Sequence, residues 1–497
     1  MKTILIVCWL MIGFLVLSLF CEPMKDASAN TTDDLKWQMK QMEEVVRKQQ
    51  EMLEDLKMKV ELQEDIAQGS VSAIEESTIE GVIDNYMMKE ETKKKMVNAG
   101  ILPQLSTYWD KGLRFKSQDG NFKLKIGGRI MNDWAWMTEN TKFKDESGIG
   151  DGDLVDGTEF RRARIYLSGS IYGNIGFKAQ YDLEDGATDF KDVYIELKKI
   201  PFLGNFRVGH FKEPFSLEEL TSSKYISFME RNLTNDPFAP GRNTGFMLHN
   251  HMFNKRLTWA AGLFRNTDAF GDSDIADDAN EGQYSITGRI TALPWYAEEG
   301  RKLLHVGLSY SRQNAESNSV TFETKPDINL APDFIDTGAF NVENFDLIGP
   351  ELALVHGPFS LQTEYSFADV ELHHDNSMRD DPEFSGFYVY GSYFITGEHR
   401  KYKTKNGTFG RVKPNKNFSW GEGLGAIELL ARYSELDLSD EATNTGRLDT
   451  ITLGANWYLN PNTRVMLNYV KADPTRDSDG DDDGDADLFG MRFQIDF

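Results

Sequence analysis

Three groups of side chains in this sequence could do chemistry by their type and spacing. Arg161, Arg162 and Arg164 place three guanidinium groups close together, able to hold an oxyanion or to pair with carboxylates such as Asp182 and Glu196. The run Asp479-x-Asp481-x-Asp483-Gly484 opens like a calcium loop, but an EF-hand needs a carboxylate near position 490, where the sequence has Gly490. Divalent ions bridging this acidic run to anionic headgroups are the simpler expectation. His249 and His251 share one face of an extended segment, yet no third metal ligand accompanies them. H-E-x-x-H, G-x-S-x-G, a P-loop and C-x-x-C are all absent. No catalytic residue, metal set or cofactor is expected, which leaves binding, transport or a structural role.

The elements that must position these groups begin with a leader. Lys2, a mostly apolar uncharged run from Ile4 to Phe20 and the small-x-small site Ala27-Ser28-Ala29 read as a signal peptide over residues 1–29. The run is at the short end for a retained anchor, which needs roughly 20 residues. Cys8 and Cys21 lie in or beside the leader, so the exported chain is expected to use neither disulfides nor thiolate metal sites. Removing the leader takes Lys2 and Lys25 with Glu22 and Asp26, so the formal charge stays at -25. A chain this acidic is not expected to bind nucleic acid.

From Leu35 to Ala67 the seam positions step by alternating fours and threes, through Met39, Met42, Val46, Leu53, Leu56 and Val60. That spacing predicts a coiled coil over 30–68 that self-associates when several copies wrap together. A linker follows over 69–108. From Phe122 onward the period drops to two, and sixteen candidate strands follow: 122–136, 160–172, 174–183, 189–199, 204–212, 243–253, 256–265, 284–294, 303–313, 349–356, 358–369, 385–397, 424–436, 448–459, 462–472 and 487–497.

Short links such as Gly173-Asn174 and Gly357-Pro358 alternate with long ones such as 213–242 and 314–348. The segment 398–423 is the exception, being long on the short-turn side, and is expected to fold back into the barrel. An even strand number, one apolar face per strand and this alternation describe an all-β, 16-stranded antiparallel transmembrane β-barrel over 109–497, preceded by a periplasmic α-helical coiled coil. A mean hydropathy of -0.48 fits, because only every second strand residue must be apolar. The last stretch, FGMRFQIDF, shows the pattern most clearly: Phe489, Met491, Phe493, Ile495 and Phe497 are expected to face lipid, and Arg492, Gln494 and Asp496 water.

The segment RVGHFKEPFSLEELTSSKYISFMERNLTNDPFAPGRNTGF, Arg207 to Phe246, closely resembles the third-loop region of the phosphate-selective porin O and P family of Gram-negative outer membranes. The resemblance extends to FRRARIYLSGSIYGN, GPELALVHGPFSLQTEY, GTFGRVKPNKNF and ANWYLNPNTRVMLNYV, and to the terminal Phe. It implies a trimeric barrel whose third loop folds inward and constricts the pore between Lys212 and Arg242. Matched residue by residue, Ser222, Ser223 and Arg231 are implied as constriction ligands, with Arg161, Arg162 and Arg164 on the neighbouring wall. It further implies that Phe497 is an assembly signal read by the barrel-assembly machinery.

Counting only strand residues on the lumen parity gives a basic wall, including Lys125, Arg129, Lys178, Arg432, Arg464 and Arg492, with fewer acids. Acidity sits instead in loops, as at 272–278 and 477–487. The expectation is a water-filled outer-membrane porin for passive diffusion of small anions such as phosphate. Outer-membrane lipid and lipopolysaccharide, and further copies in a homotrimer, are the other expected partners. A general non-specific nutrient porin and an envelope-tethering barrel acting through its coiled coil are the alternatives.

Overall fold

The structure, a computed structural model, describes residues 105–146, 153–186, 188–271, 283–373, 380–440, 445–475 and 484–497. The expected signal peptide (1–29), the coiled coil (30–68) and nearly all of the linker (69–108) lie outside the described residues, as does most of both acidic loop runs. A hairpin of β1 (Leu105–Trp109) and β2 (Leu113–Ser117) comes first. The ring begins with β3 (Phe122–Glu139), β4 (Gly157–Ile171), β5 (Ile175–Asp182), β6 (Asp189–Ile200), β7 (Gly204–Lys212), β8 (Arg242–Met252), β9 (Leu257–Arg265), β10 (Tyr284–Ala297) and β11 (Lys302–Val320). Two-residue strands β12 (Glu323–Thr324) and β13 (Ile335–Asp336) lie in the next loop. The ring continues with β14 (Phe340–His356), β15 (Phe359–Leu372) and β16 (Glu383–Phe394). After the short pair β17 (Tyr402–Lys403) and β18 (Thr408–Phe409), it ends with β19 (Ala426–Asp440), β20 (Thr445–Asn460), β21 (Thr463–Thr475) and β22 (Ala486–Asp496).

Of the 18 strands in the main sheet, the hairpin supplies two and the ring the other sixteen, each antiparallel to its successor. The ring closes because β22 pairs with β3 from Ala486↔Glu139 to Asp496↔Arg129. Closure leaves no edge among these strands, which is what lipid demands of a sheet. All sixteen expected strands are present. The largest displacement is at β14, which starts at Phe340 rather than near Gly349, because β11 and β14 keep pairing out to Val320↔Phe340. That extension has no clean apolar alternation, so periodicity alone could not reveal it.

The alternation itself is physical. Phe493 and Ile495 are 47% and 45% exposed on the outer face, while Arg492, Gln494 and Asp496 between them are 0%, 4% and 2% exposed on the inner one. Phe497 extends the seam by exchanging backbone hydrogen bonds with Gly128, whose N–H donates at 2.8 Å and whose carbonyl accepts at 3.1 Å. A Cβ at Gly127 would stand 2.5 Å from the Phe497 carbonyl oxygen, and one at Gly128 would stand 2.7 Å from the Phe497 ring. The hairpin, which sequence reading missed because its two strands are too short to show a period, pairs β2 with β3 from Leu113↔Ile126 onward. It thereby covers the part of β3 that β22 does not reach.

One expectation needs correction. The inner face was read as polar, but Leu347, Val370, Phe384, Leu436, Leu448, Val470 and Leu488 lie on it and are buried. They pack against Phe215, Leu233 and Phe238 of the loop after β7 and against Phe322, Ile328 and Phe334 of the loop after β11. Two loops have folded into the ring and made a dry core there, so inward residues follow core chemistry. The expected fold-back of 398–423 is observed for its first part, up to Arg411, whereas the remainder returns to the rim and is exposed at Trp420. Arg400 donates to Gln362 of β15 at 2.9 Å and stacks on Phe409 at 3.5 Å, and the Phe409 N–H reaches the Thr221 hydroxyl at 3.3 Å.

The two faces make opposite demands on substitution. Phe493→Arg is expected to destabilise the barrel by about 2–4 kcal/mol through a charge on the lipid face. Heat-modifiable electrophoretic migration should report a lower folded fraction, whereas Phe493→Leu should fold normally.

Candidate pore lining

Residues 213–241 leave β7 at Lys212, rejoin β8 at Arg242 and run inside the ring, so their backbone must find partners away from bulk water. The wall supplies them. At the entrance Glu213 accepts from Ser285 at 2.9 Å, from Asn243 at 2.8 Å and from the Thr287 hydroxyl. In the short helix α1 (Leu217–Leu220), Ser216 accepts from the Glu219 N–H at 3.1 Å, and wall residue Glu364 accepts from the Leu217 and Glu218 N–H groups at 2.8 Å each. Beyond it, wall donors take the loop carbonyls in turn. Gln494 donates to Lys224 O at 3.2 Å, Arg464 to Ile226 O at 2.8 Å, Asn456 to Ser227 O at 2.7 Å, Arg492 to Met229 O, and Arg432 to Glu230 O at 3.2 Å. Arg432, Arg464 and Arg492, counted from the sequence as lumen charge, are thus fasteners of the loop.

Four carboxylates neutralise most of the remaining expected site. Glu230 receives Arg161 at 3.0 Å, Arg162 at 3.4 Å and Arg492 at 2.5 Å, and Arg492 also reaches Asp133 at 2.5 Å. Burial opposes its ionisation, but the three arginines hold its carboxyl well below the ordinary range. Glu219 receives Lys212 at 2.6 Å and Arg231 at 3.0 Å. Burial again opposes, and the two cations bring its pKa to about 2. Arg231 also donates to the carbonyls of Glu218, Glu219 and Thr221 at 3.2–3.3 Å, so its fork points into the loop. Asp192 receives Lys178 at 2.5 Å and Arg242 at 2.8 Å, and Arg164 pairs with Asp182. Ser223 accepts from Arg129, while the Ser222 hydroxyl accepts from the Lys224 N–H at 3.4 Å. The expected residues therefore divide among separate hydrogen-bonded pairs, although Arg129, Arg162, Arg164 and Arg242 lie near enough for their charges to act on one another.

Exposure locates the water path. Lys178, Asp192, Arg207, Arg242 and His249, on β5 to β8, are 19–24% exposed in their side chains. Arg289 with Glu351 and Arg432 with Asp327, across the ring, are 0–4% exposed. The partly exposed charges thus concentrate on the β5–β8 wall, where Gln180, Asp182 and His210 are nonetheless buried, and the far side is filled.

Where the loop meets β3 to β5 and the 398–423 insertion, cations converge on two tyrosines. The Nζ atoms of Lys125, Lys178 and Lys224 lie 5.1, 5.5 and 5.4 Å from the Tyr166 ring centre. Lys224, Lys403 and Arg411 lie 5.6, 4.5 and 5.4 Å from that of Tyr225. Asp496 answers Arg411 and, at 3.6 Å, Lys224. Five cations thus face Asp496 and the Asp192 already shared by Lys178 and Arg242, which leaves a local positive excess. Burial and then the Arg129 charge push the Lys224 ammonium down to about 7, with Asp496 opposing. Lys224, Lys403 and Arg411 were not picked out from the sequence. The available signals were the adjacency of Lys224 to Ser222-Ser223 and the place of Arg411 inside GTFGRVKPNKNF.

The model of the family described as phosphate-selective porin O and P matches residues 125–497. Porin O of Pseudomonas aeruginosa is 28% identical over 423 residues, covering 77% of this chain and 90% of its own. A Caulobacter vibrioides protein carrying no functional name is 28% identical over 403 residues, covering 78% and 76%. Among solved structures, the anion-selective porin from Comamonas acidovorans aligns at 13% identity and a TM-score of 0.48, covering 76% of this chain and all of its own.

Glu230 is the strongest single tie between loop and wall. Glu230→Gln is expected to leave three buried guanidinium groups under-compensated and to cost about 3–5 kcal/mol, the range for removing one partner of a buried ion pair. A lower thermal midpoint, with increased open-channel current noise from a loosened loop, is the expected result.

Proposed function

The chain belongs to the phosphate-selective porin O and P family, and from that premise we propose that it conducts small anions passively, past a constriction formed by loop 213–241. The membership supports a channel of the Gram-negative outer membrane and points away from an enzyme. The observation that carries the anion reading is the convergence of Lys125, Lys178, Lys224, Lys403 and Arg411 on Tyr166 and Tyr225, against Asp192 and Asp496. Phosphate and similar oxyanions suit it, because they accept several hydrogen bonds at once from lysines, guanidinium and phenol groups. In this reading Ser222 and Ser223 line the narrow stretch, with Ser223 holding the Arg129 guanidinium. Arg231 and Lys212 keep the loop in shape through Glu219, and Arg161, Arg162, Arg164 and Arg242 contribute field more than direct contact. Trimeric assembly and recognition of Phe497 during insertion belong to the same proposal.

Extensive pairing favours a weakly selective pore over a tight phosphate trap. Glu219, Glu230, Asp182 and Asp192 cancel most of the expected cations, and a filter responds to the uncompensated charge lining its narrow stretch. Charges more than a Debye length of about 10 Å from that stretch would contribute little. The test is the reversal potential of purified protein in a planar bilayer under a potassium chloride gradient, followed by phosphate block. Chloride preference with weak block supports the proposal; cation preference or no conductance overturns it.

A pH dependence follows from Lys224. Its ammonium is charged below about 7 and neutral above, so raising pH from 6 to 8 removes positive charge from the path. One charge about 10 Å from the ion, at an effective dielectric of about 60, is worth about 0.5 kcal/mol. Because the charge favours chloride and opposes potassium by that amount each, the chloride-to-potassium permeability ratio is expected to fall by roughly fivefold between those pH values. In Lys224→Met the ratio should start low and stay flat.

A further inference from the structure

Residues 412–425 leave the lumen, cross the rim on the short-turn side and return into β19. Their tip is a tight turn bridged at Ser419↔Gly423, and it carries an apolar surface that the barrel does not use. Trp420 is 92% exposed and Leu424 70%. The turn is nonetheless fixed. Phe418 packs edge-on against both Trp457 and Trp420, at 5.1 and 5.2 Å, and its N–H donates to Leu459 O at 2.6 Å. The Trp457 indole N–H donates to Leu424 O at 2.7 Å. Gly425, at φ +75°, turns the chain back where a Cβ would meet Tyr458 O at 2.3 Å.

Trp457 stands on the outer face of β20, in line with Ile451 and Leu453, so the turn continues the lipid-facing surface at its lower margin. An indole and a leucine held rigidly there match the interfacial belt, where amphipathic rings sit at headgroup level. Lys416, Asn417, Ser419 and Glu422 line an open cleft of about 570 Å³ at the base of the turn, and exposed Lys413 lies close by in sequence.

We propose that this turn is a hook that enters the periplasmic leaflet and seats the headgroup of an anionic glycerophospholipid beside Lys416. Trp420 and Leu424 lie among the upper acyl chains. Lys416, with Lys413, supplies the charge for a phosphodiester, and Asn417 and Ser419 supply hydrogen bonds to its oxygens. The single acid, Glu422, limits the site to a modest preference over zwitterionic lipid.

The test reconstitutes the full-length protein in vesicles of phosphatidylcholine or phosphatidylglycerol carrying bromines high on the acyl chain. Tryptophan emission is compared between the wild type and Trp420→Phe. The Trp420 component should be quenched at least twofold by brominated lipid and be little affected by aqueous iodide. Its quenching should be stronger in phosphatidylglycerol, and Lys416→Gln should remove that difference while the barrel folds and conducts normally. Three results overturn the proposal: a Trp420 component quenched by iodide alone, one shielded from both quenchers as in a contact between copies, or equal quenching in the two lipids with Lys416 intact.

Discussion

A long irregular segment inside a membrane barrel is possible only if its backbone polar groups are satisfied there, and the structure is organised around that constraint. Gln494, Arg464, Asn456, Arg492 and Arg432 project from the last four ring strands and take the carbonyls of residues 224 to 230, while Glu364 takes the N–H groups at the start of α1. An unmade hydrogen bond at a buried carbonyl costs about 1–3 kcal/mol, so each donor fixes the loop as well as filling a valence. With the loop in place, the residues behind it become core. This explains why Leu436, Leu448 and Val470 occupy inward positions that an empty pore would leave polar.

The electrostatics have the same division of labour. Charges on the filled side are buried and paired, as in Arg289 with Glu351 and Arg432 with Asp327. Charges on the β5–β8 side remain partly hydrated, and near Tyr166 and Tyr225 the cations outnumber their partners. A formal charge of -25 for the whole chain is therefore compatible with a positive path, because the described acids nearest the path, Asp182, Asp192, Glu219 and Glu230, are spent in pairs.

Much of the fold was legible in the sequence because each ring strand must satisfy lipid on one face, and that demand writes a period of two into residues such as Phe489, Met491, Phe493 and Ile495. The hairpin before the ring was not legible, since five residues per strand give too few repeats. The pore lining was only partly so. Composition shows that Arg161, Arg162, Arg231 and Arg492 are cations, but not that Glu219 and Glu230 of one loop would claim them. Those pairings depend on how a loop of the middle of the chain lies against its first and last strands. Lys403 and Arg411 come from a different insertion and meet Tyr225 only when both segments have folded inward.

The central claim is that water follows the β5–β8 wall and that the opposite inner face is dry. Single cysteines test it directly, since the chain's own cysteines are at positions 8 and 21. Lys178→Cys and Leu436→Cys both place a thiol on the inner face. A small, charged, membrane-impermeant thiol reagent added to the folded protein should modify Cys at 178 quickly and reduce conductance, and leave Cys at 436 unmodified. Rapid modification at 436 with protection at 178 would contradict the account.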